Sequence, residues 1–349
     1  MAVFELNRTS DYYYGLLNSR EKALYTTLLR AQLSVEQKVK LPTGVTVDMI
    51  KKTMEFISND HPEIFWNSCG FRISSVDGVP ESLLFSYTIT KPEVDLIKHR
   101  IVNSAFYKQL DGLLAYKRTK FEKALAAYEY IIKHTDYDLT SSESNDESRY
   151  NINGVILNSK AVCEGYAKTF QYFMNKHDVY CTLVTGIAKG GSHAWNLVNL
   201  DGSFYYIDTT WGDPVFRNVT SAPSNYISYD FFCITTAELK KTHDPIIDHR
   251  MPLCYDTYYN YYRYFKMIAD SFSVNDVASR LIQAYRKGMR EVEIRYSSGS
   301  VYLTAKKELF EKKKVLDVLT VAKRTITTID NTRSNYSTSD EKKIIKIMF

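Results

Sequence analysis

The spacing of hydrophobic positions changes several times along the 349-residue chain, and each change marks an element. From Thr9 to about Leu33, Tyr14, Leu17, Leu24 and Leu28 recur on one helical face behind Ser10 or Asp11, either of which can cap it. Val47–Ser58 reads as a second helix, stopped at Asn59-Asp60-His61-Pro62. Phe71–Val76 and Ser82–Thr90 flank Asp77-Gly78-Val79-Pro80 and read as a β-hairpin. Pro92–His134 is helical in pattern, with a break expected near Asp111-Gly112. Its second half carries Phe121, Leu125, Tyr128, Ile131 and Ile132 at three- and four-residue spacing. Periodicity then stops. Ser141–Ser148 (SSESNDES) is polar and acidic and reads as an exposed insertion, with a lid over a substrate cleft as the alternative.

Order returns in Ser159–Pro214. Val162, Tyr166, Phe170, Phe173 and Met174 repeat at helical spacing behind Asn158 or Ser159 as N-cap, which sets Cys163 in or just beyond the first helical turn. Unpaired N–H groups and the positive end of the helix dipole favour a thiolate there, and the thiolate is the nucleophilic form of cysteine. Ala194–Leu200 and Ser203–Thr209 flank Asp201-Gly202, a two-residue turn signal. With that pair in the turn, Leu200 faces Ser203, and His193 and Asp208 become diagonal neighbours on one face, within reach of an imidazole–carboxylate hydrogen bond. Cys163, His193 and Asp208 can therefore act as nucleophile, general base and acid, and orienting carboxylate. Glu164, Gly190, Gly191 and Trp195 are candidates for the substrate cleft, and the Cys163 backbone N–H for part of an oxyanion hole whose second donor is not identified. The three side chains lack CxxC or HxxxH spacing and a fourth ligand, so no metal site is expected, and no other cofactor.

The motifs VCEGYAKTFQYF, HAWNLV and YYIDTTWGDP resemble the three motifs of the transglutaminase-like superfamily, a branch of the papain-like cysteine enzymes. The resemblance places that family's catalytic Cys, His and Asp on Cys163, His193 and Asp208. DHPEIFW at Asp60–Trp66 is similar to a stretch preceding the catalytic domain in bacterial members, so the likeness covers residues 1–265. It implies a papain-like catalytic domain at 116–265; with the helical and β-hairpin pattern of 1–115 and a small C-terminal α/β sandwich read from the pattern of 266–349, the chain is expected to be an α+β protein. It also implies a cysteine-dependent acyl-transfer enzyme acting on amide bonds of a protein or peptide substrate, as peptidase, deamidase or transglutaminase. The alternative is a catalytically silent interaction module, against which the intact triad counts.

Downstream, Phe231–Ile234 reads as a short strand and Thr235–Glu238 as the start of a brief helix. Seven aromatic residues between Tyr255 and Phe265 are expected to pack against the catalytic domain. From Ser273 the pattern gives a helix (Asp276–Lys287), a strand around Val292, Ile294 and Tyr296, a helix (Ser300–Lys323), and strands near Thr325–Ile329 and Lys342–Phe349: an αβαββ sandwich. Composition alters this picture little. A net charge of +5, from 45 basic and 40 acidic residues, is too mild to indicate nucleic acid, and no apolar run approaches a membrane span. Five dispersed cysteines and an N-terminus without a signal-peptide pattern point to a reducing, cytoplasmic setting. No calcium-loop motif supports calcium activation, and the oligomeric state is left open.

Overall fold

The computed structural model describes residues 12–66, 70–139, 146–213, 227–246 and 251–349. They fall into two compact units, residues 1–257 and 258–349. The division expected at 115/116 lies inside the first unit, and that expected at 265/266 lies inside the second. Helices and sheets are segregated rather than alternating as in a parallel α/β fold, which gives the α+β class.

The first unit is organised around the Cys163–Lys176 helix and a five-stranded antiparallel sheet. Across the sheet the strands are His243–Pro245, Cys181–Ala188, Gly191–Leu200, Ser203–Ile207 and Phe232–Ile234. Leu200 pairs with Ser203 and Asn196 with Ile207, the expected register. Asp201 and Gly202 both have positive φ, the conformation a two-residue hairpin turn requires. Tyr166, Ala167, Phe170, Phe173 and Met174 are completely buried on the helix. The Asn196 side chain donates to the Ala167 carbonyl at 3.0 Å, fixing the helix to the central strand.

Asn158 and Ser159 do not start this helix. They end a shorter one, Ile152–Asn158, which Asn151 caps, and Ser159 turns the chain with φ 53°. Lys160–Ala161 then pairs in parallel with Asp136–Tyr137, and the next helix begins at Cys163 behind Val162, with no side-chain cap. Ile152, Val155 and Ile156 are too few to show a period, so the preceding helix was hidden in the sequence. Gly165 makes this close approach possible. A Cβ there would lie 2.6 Å from the Arg149 carbonyl oxygen and 2.8 Å from the Ala161 Cβ. Gly165→Ala is therefore expected to cost about 1–3 kcal/mol despite alanine's better helix propensity, measured as a lower urea midpoint.

Elsewhere the elements sit near their expected places but break differently. The first helical stretch splits into Tyr12–Gly15 and Ser19–Ser34, because Asn18 and Glu21 form a capping box. Pro92–His134 becomes Lys91–Asn103, Ala105–Ala115 and Lys120–Lys133, divided where Ser104 and Thr119 cap the following helices. Gly112 stays inside the second, with open space around it. The first β-hairpin spans Phe71–Val76 and Val79–Phe85, turning at Asp77-Gly78 alone. Residues 141–145 of the acidic insertion lie outside the described residues; Asp146 caps a 3₁₀ turn at Glu147–Tyr150.

The second unit carries a four-stranded sheet in the order Ile268–Ala269, Glu291–Tyr296, Ile344–Met348, Asn335–Ser339. Its core joins Val277 and Leu281 of the Val274–Arg286 helix to Ile294, Leu319, Ile345 and Ile347. The expected helix Ser300–Lys323 is interrupted at Lys313, which has φ 59°. Ile326 and Ile329 enter the core from a turn rather than a strand. Rings between Tyr258 and Phe265 pack on one another, while Tyr255 and Tyr258 are largely exposed. No helix among the described residues is long and apolar enough to cross a membrane.

Candidate active site

Helix start and sheet converge on one point. Cys163, the first residue of its helix, is partly exposed and hydrogen-bonded to His193. His193 stands on the central strand, and its Nε2 lies 2.8 Å from Oδ2 of Asp208. That leaves the ring's Nδ1 for the sulfur. Asp208 follows the last residue of the adjacent strand and caps the Thr209–Gly212 helix, its Oδ1 accepting from the Trp211 N–H at 3.0 Å. Antiparallel pairing has ended by this point, so Asp208 is free to turn its carboxylate toward His193.

Two residues that the sequence reading passed over complete the arrangement. His243, on the edge strand, places Nε2 3.1 Å from the same Asp208 oxygen. Tyr137 is brought beside Cys163 by the two-residue parallel bridge to Ala161, and its hydroxyl oxygen accepts from the Cys163 backbone N–H. Neither residue carried a signal in the chain. His243 lies 35 positions after Asp208 on a three-residue strand, and Tyr137 lies on a two-residue strand, both too short for any pattern.

Burial of His193 works against its charge, but the hydrogen bonds and charges of Asp208 and Cys163 outweigh that and raise its pKa above the ordinary imidazole range. Burial likewise works against the Asp208 anion. The hydrogen bonds from His193 and His243, the His193 charge and the Trp211 N–H overcome it, so the carboxyl titrates below its ordinary range. The site is built to hold an imidazolium between two acceptors. Cys181 and Cys233 are completely buried, and desolvation pushes both thiols well up; it pushes Cys254 up to about 12.

The four cleft candidates take different places. Glu164 is partly exposed beside Cys163 and pairs with Lys168 at 2.8 Å. Gly190 (φ 79°) and Gly191 are exposed; Gly190 and Lys189 turn the hairpin that delivers His193. Trp195 does not line a surface. It is completely buried, its ring 5.8 Å from that of His193 and 4.8 Å from that of His243. His193, Asp208 and His243 form a set of ligand-type atoms within 4.8 Å of one another. Both imidazole–carboxylate contacts have hydrogen-bond length, and an ionised carboxylate can only accept, so both Nε2 atoms carry the hydrogens an ion would need to displace. We assign no metal ligands here.

Residues 108–209 match the family model of the transglutaminase-like superfamily. Two curated proteins are similar to part of the chain. The kyphoscoliosis peptidase of Homo sapiens is 27% identical over 138 residues, covering 36% of this chain and 21% of that protein. The Mus musculus protein of the same name is 26% identical over 146 residues, covering 38% and 22%. The chain thus spans about a fifth of the length of the curated relatives it matches. Among solved structures, a "Crystal structure of a TGase" aligns over 53% of each chain with a TM-score of 0.32 and 15% identity.

Proposed function

We propose, from the match of residues 108–209 to the transglutaminase-like superfamily, that this chain is a cysteine-dependent acyl-transfer enzyme that opens amide bonds of peptide or protein substrates and passes the acyl group to water. The observation that carries this reading is the hydrogen-bonded line from Cys163 through His193 to Asp208, with the sulfur at a helix start. Hydrolysis as the fate of the acyl group is supported by the name peptidase borne by the two curated relatives. Amine transfer begins with the same acyl-enzyme and is the second outcome.

In the proposed cycle the Cys163 sulfur attacks the amide carbonyl carbon. A C–S bond forms, and the carbonyl π electrons move to oxygen. His193 gives its proton to the departing nitrogen, the C–N bond breaks, and a thioester remains. Water then attacks as His193 takes its proton, the C–S bond breaks, and the acid leaves. Asp208 stays ionised and keeps the imidazole oriented. The oxyanion falls on the Cys163 N–H, where the Tyr137 hydroxyl sits in the free protein. When substrate arrives that hydroxyl gives up its place as acceptor and donates its own hydrogen to the oxyanion, as the second donor.

Thiol mapping tests the reading without a known substrate. Iodoacetamide at pH 6 is expected to label Cys163 at least tenfold faster than Cys181, Cys233 or Cys254, measured by peptide mass spectrometry. Labelling should abolish peptide-amide hydrolysis, as should Cys163→Ala. Equal labelling of a buried cysteine would favour the silent interaction module.

A further inference from the structure

We propose that His243 is a positioning residue of the proposed acyl-transfer site: its Nε2–H donates to the Asp208 oxygen that also receives His193, and so fixes the carboxylate that orients the imidazole. This rests on the acyl-transfer reading and deepens it. Asp208 Oδ2 lies 2.8 Å from His193 Nε2 and 3.1 Å from His243 Nε2, while Oδ1 accepts from the Trp211 N–H. With three donors on two oxygens the carboxylate cannot rotate without losing one of them. A carboxylate held only by His193 and one backbone group could swing about its Cβ–Cγ bond and carry the imidazole with it.

The His243 ring is itself held on every side. Its Nδ1 lies 2.8 Å from the Thr242 hydroxyl. Trp211, Trp195 and Phe231 enclose it at ring distances of 4.4, 4.8 and 5.5 Å. The side chain is completely inaccessible, so water cannot substitute for the bond it makes. The edge strand bearing it pairs His243 with Ala188, next to the turn that leads into His193. A histidine serving only to fill space would not need its nitrogen aimed at the most buried charge of the site. Among the described residues the titratable and charged groups around it are Asp208 and His193 in contact, Cys163 and Tyr137 beyond them, Lys189 over the Trp211 ring, and Asp244 next in the chain.

The sign of the effect follows from desolvation. With one donor removed, the buried Asp208 anion is less stable and binds a proton at higher pH. A carboxylate that holds its charge and orientation less firmly also supports the His193 imidazolium less, so the reactive ion pair with Cys163 forms only at higher pH. The test is the rate of Cys163 alkylation by iodoacetamide between pH 4 and 10 in the full chain, wild type against His243→Phe and His243→Gln. Phenylalanine keeps the ring and removes both nitrogens, whereas glutamine returns an N–H near the Nε2 position. The Phe variant is expected to move the acid limb up by about one pH unit, which lowers the rate about tenfold at pH values below that limb, and Gln to recover at least half of that shift. Superimposable pH profiles, or a Phe variant slower by one factor at every pH, would overturn the assignment. If His243→Phe does not fold, Thr242→Val decides. A smaller upward shift supports the proposal, and an unmoved limb overturns it. A wild-type Cys163 no more reactive than an ordinary thiol would instead overturn the acyl-transfer reading on which the proposal rests.

Discussion

Asp208→Asn is expected to lower turnover of a peptide amide by about 10³–10⁴-fold, with KM changed less than about threefold. The amide keeps the shape of the side chain but cannot hold the imidazolium that each cycle forms at His193, 2.8 Å away. It also loses the charge that raises the His193 pKa. Steady-state kinetics with a fluorogenic peptide amide measures both parameters; near-normal turnover would remove Asp208 from the mechanism. The same substitution should show in stability. Asp208 titrates lower folded than unfolded, so its contribution is fully present above the ordinary carboxylate range and is lost as the pH falls through the folded value. His193 titrates higher folded, so its contribution is present below the ordinary imidazole value and is lost as the pH rises through the folded one. Urea melts of wild type between pH 5 and 2 should therefore show an acid loss of about 2 kcal/mol that Asp208→Asn does not show.

Tyr137→Phe is expected to lower turnover about 10²-fold while leaving KM and the urea midpoint nearly unchanged. The phenol hydroxyl rests on the N–H where the oxyanion must form. As a donor it acts only once charge has developed on the carbonyl oxygen, so its loss belongs in kcat. If the hydroxyl merely blocked that N–H, the Phe variant would turn over faster, with a lower KM. Kinetics of the single variant separates the two roles by the sign of the change in kcat.

The central part of the site was legible because it depends on local rules. Asp201-Gly202 sets the turn, the turn sets the register, and alternation along paired strands places His193 and Asp208 on one face. The apolar repeat from Val162 to Met174 likewise puts Cys163 near a helix start, since only that phase buries Tyr166, Phe170 and Phe173 together. What escaped was short or decided by distant contacts. The helix Ile152–Asn158 is seven residues long, so the true boundary before Cys163 came from packing around Gly165 rather than from a capping side chain.

The amino-acid sequence by itself determined that Cys163 stands near a helix start and that His193 and Asp208 share one face of a hairpin, because each is set by periodicity over neighbouring residues. Only the tertiary structure decided what surrounds them. His243 reaches Asp208 because the sheet places its short strand at the edge, next to Cys181–Ala188, and Tyr137 reaches Cys163 through a two-residue parallel bridge. Both contacts join segments far apart in the chain by strands too short to have a period, and such pairings are fixed by the burial of the whole core rather than by any local pattern.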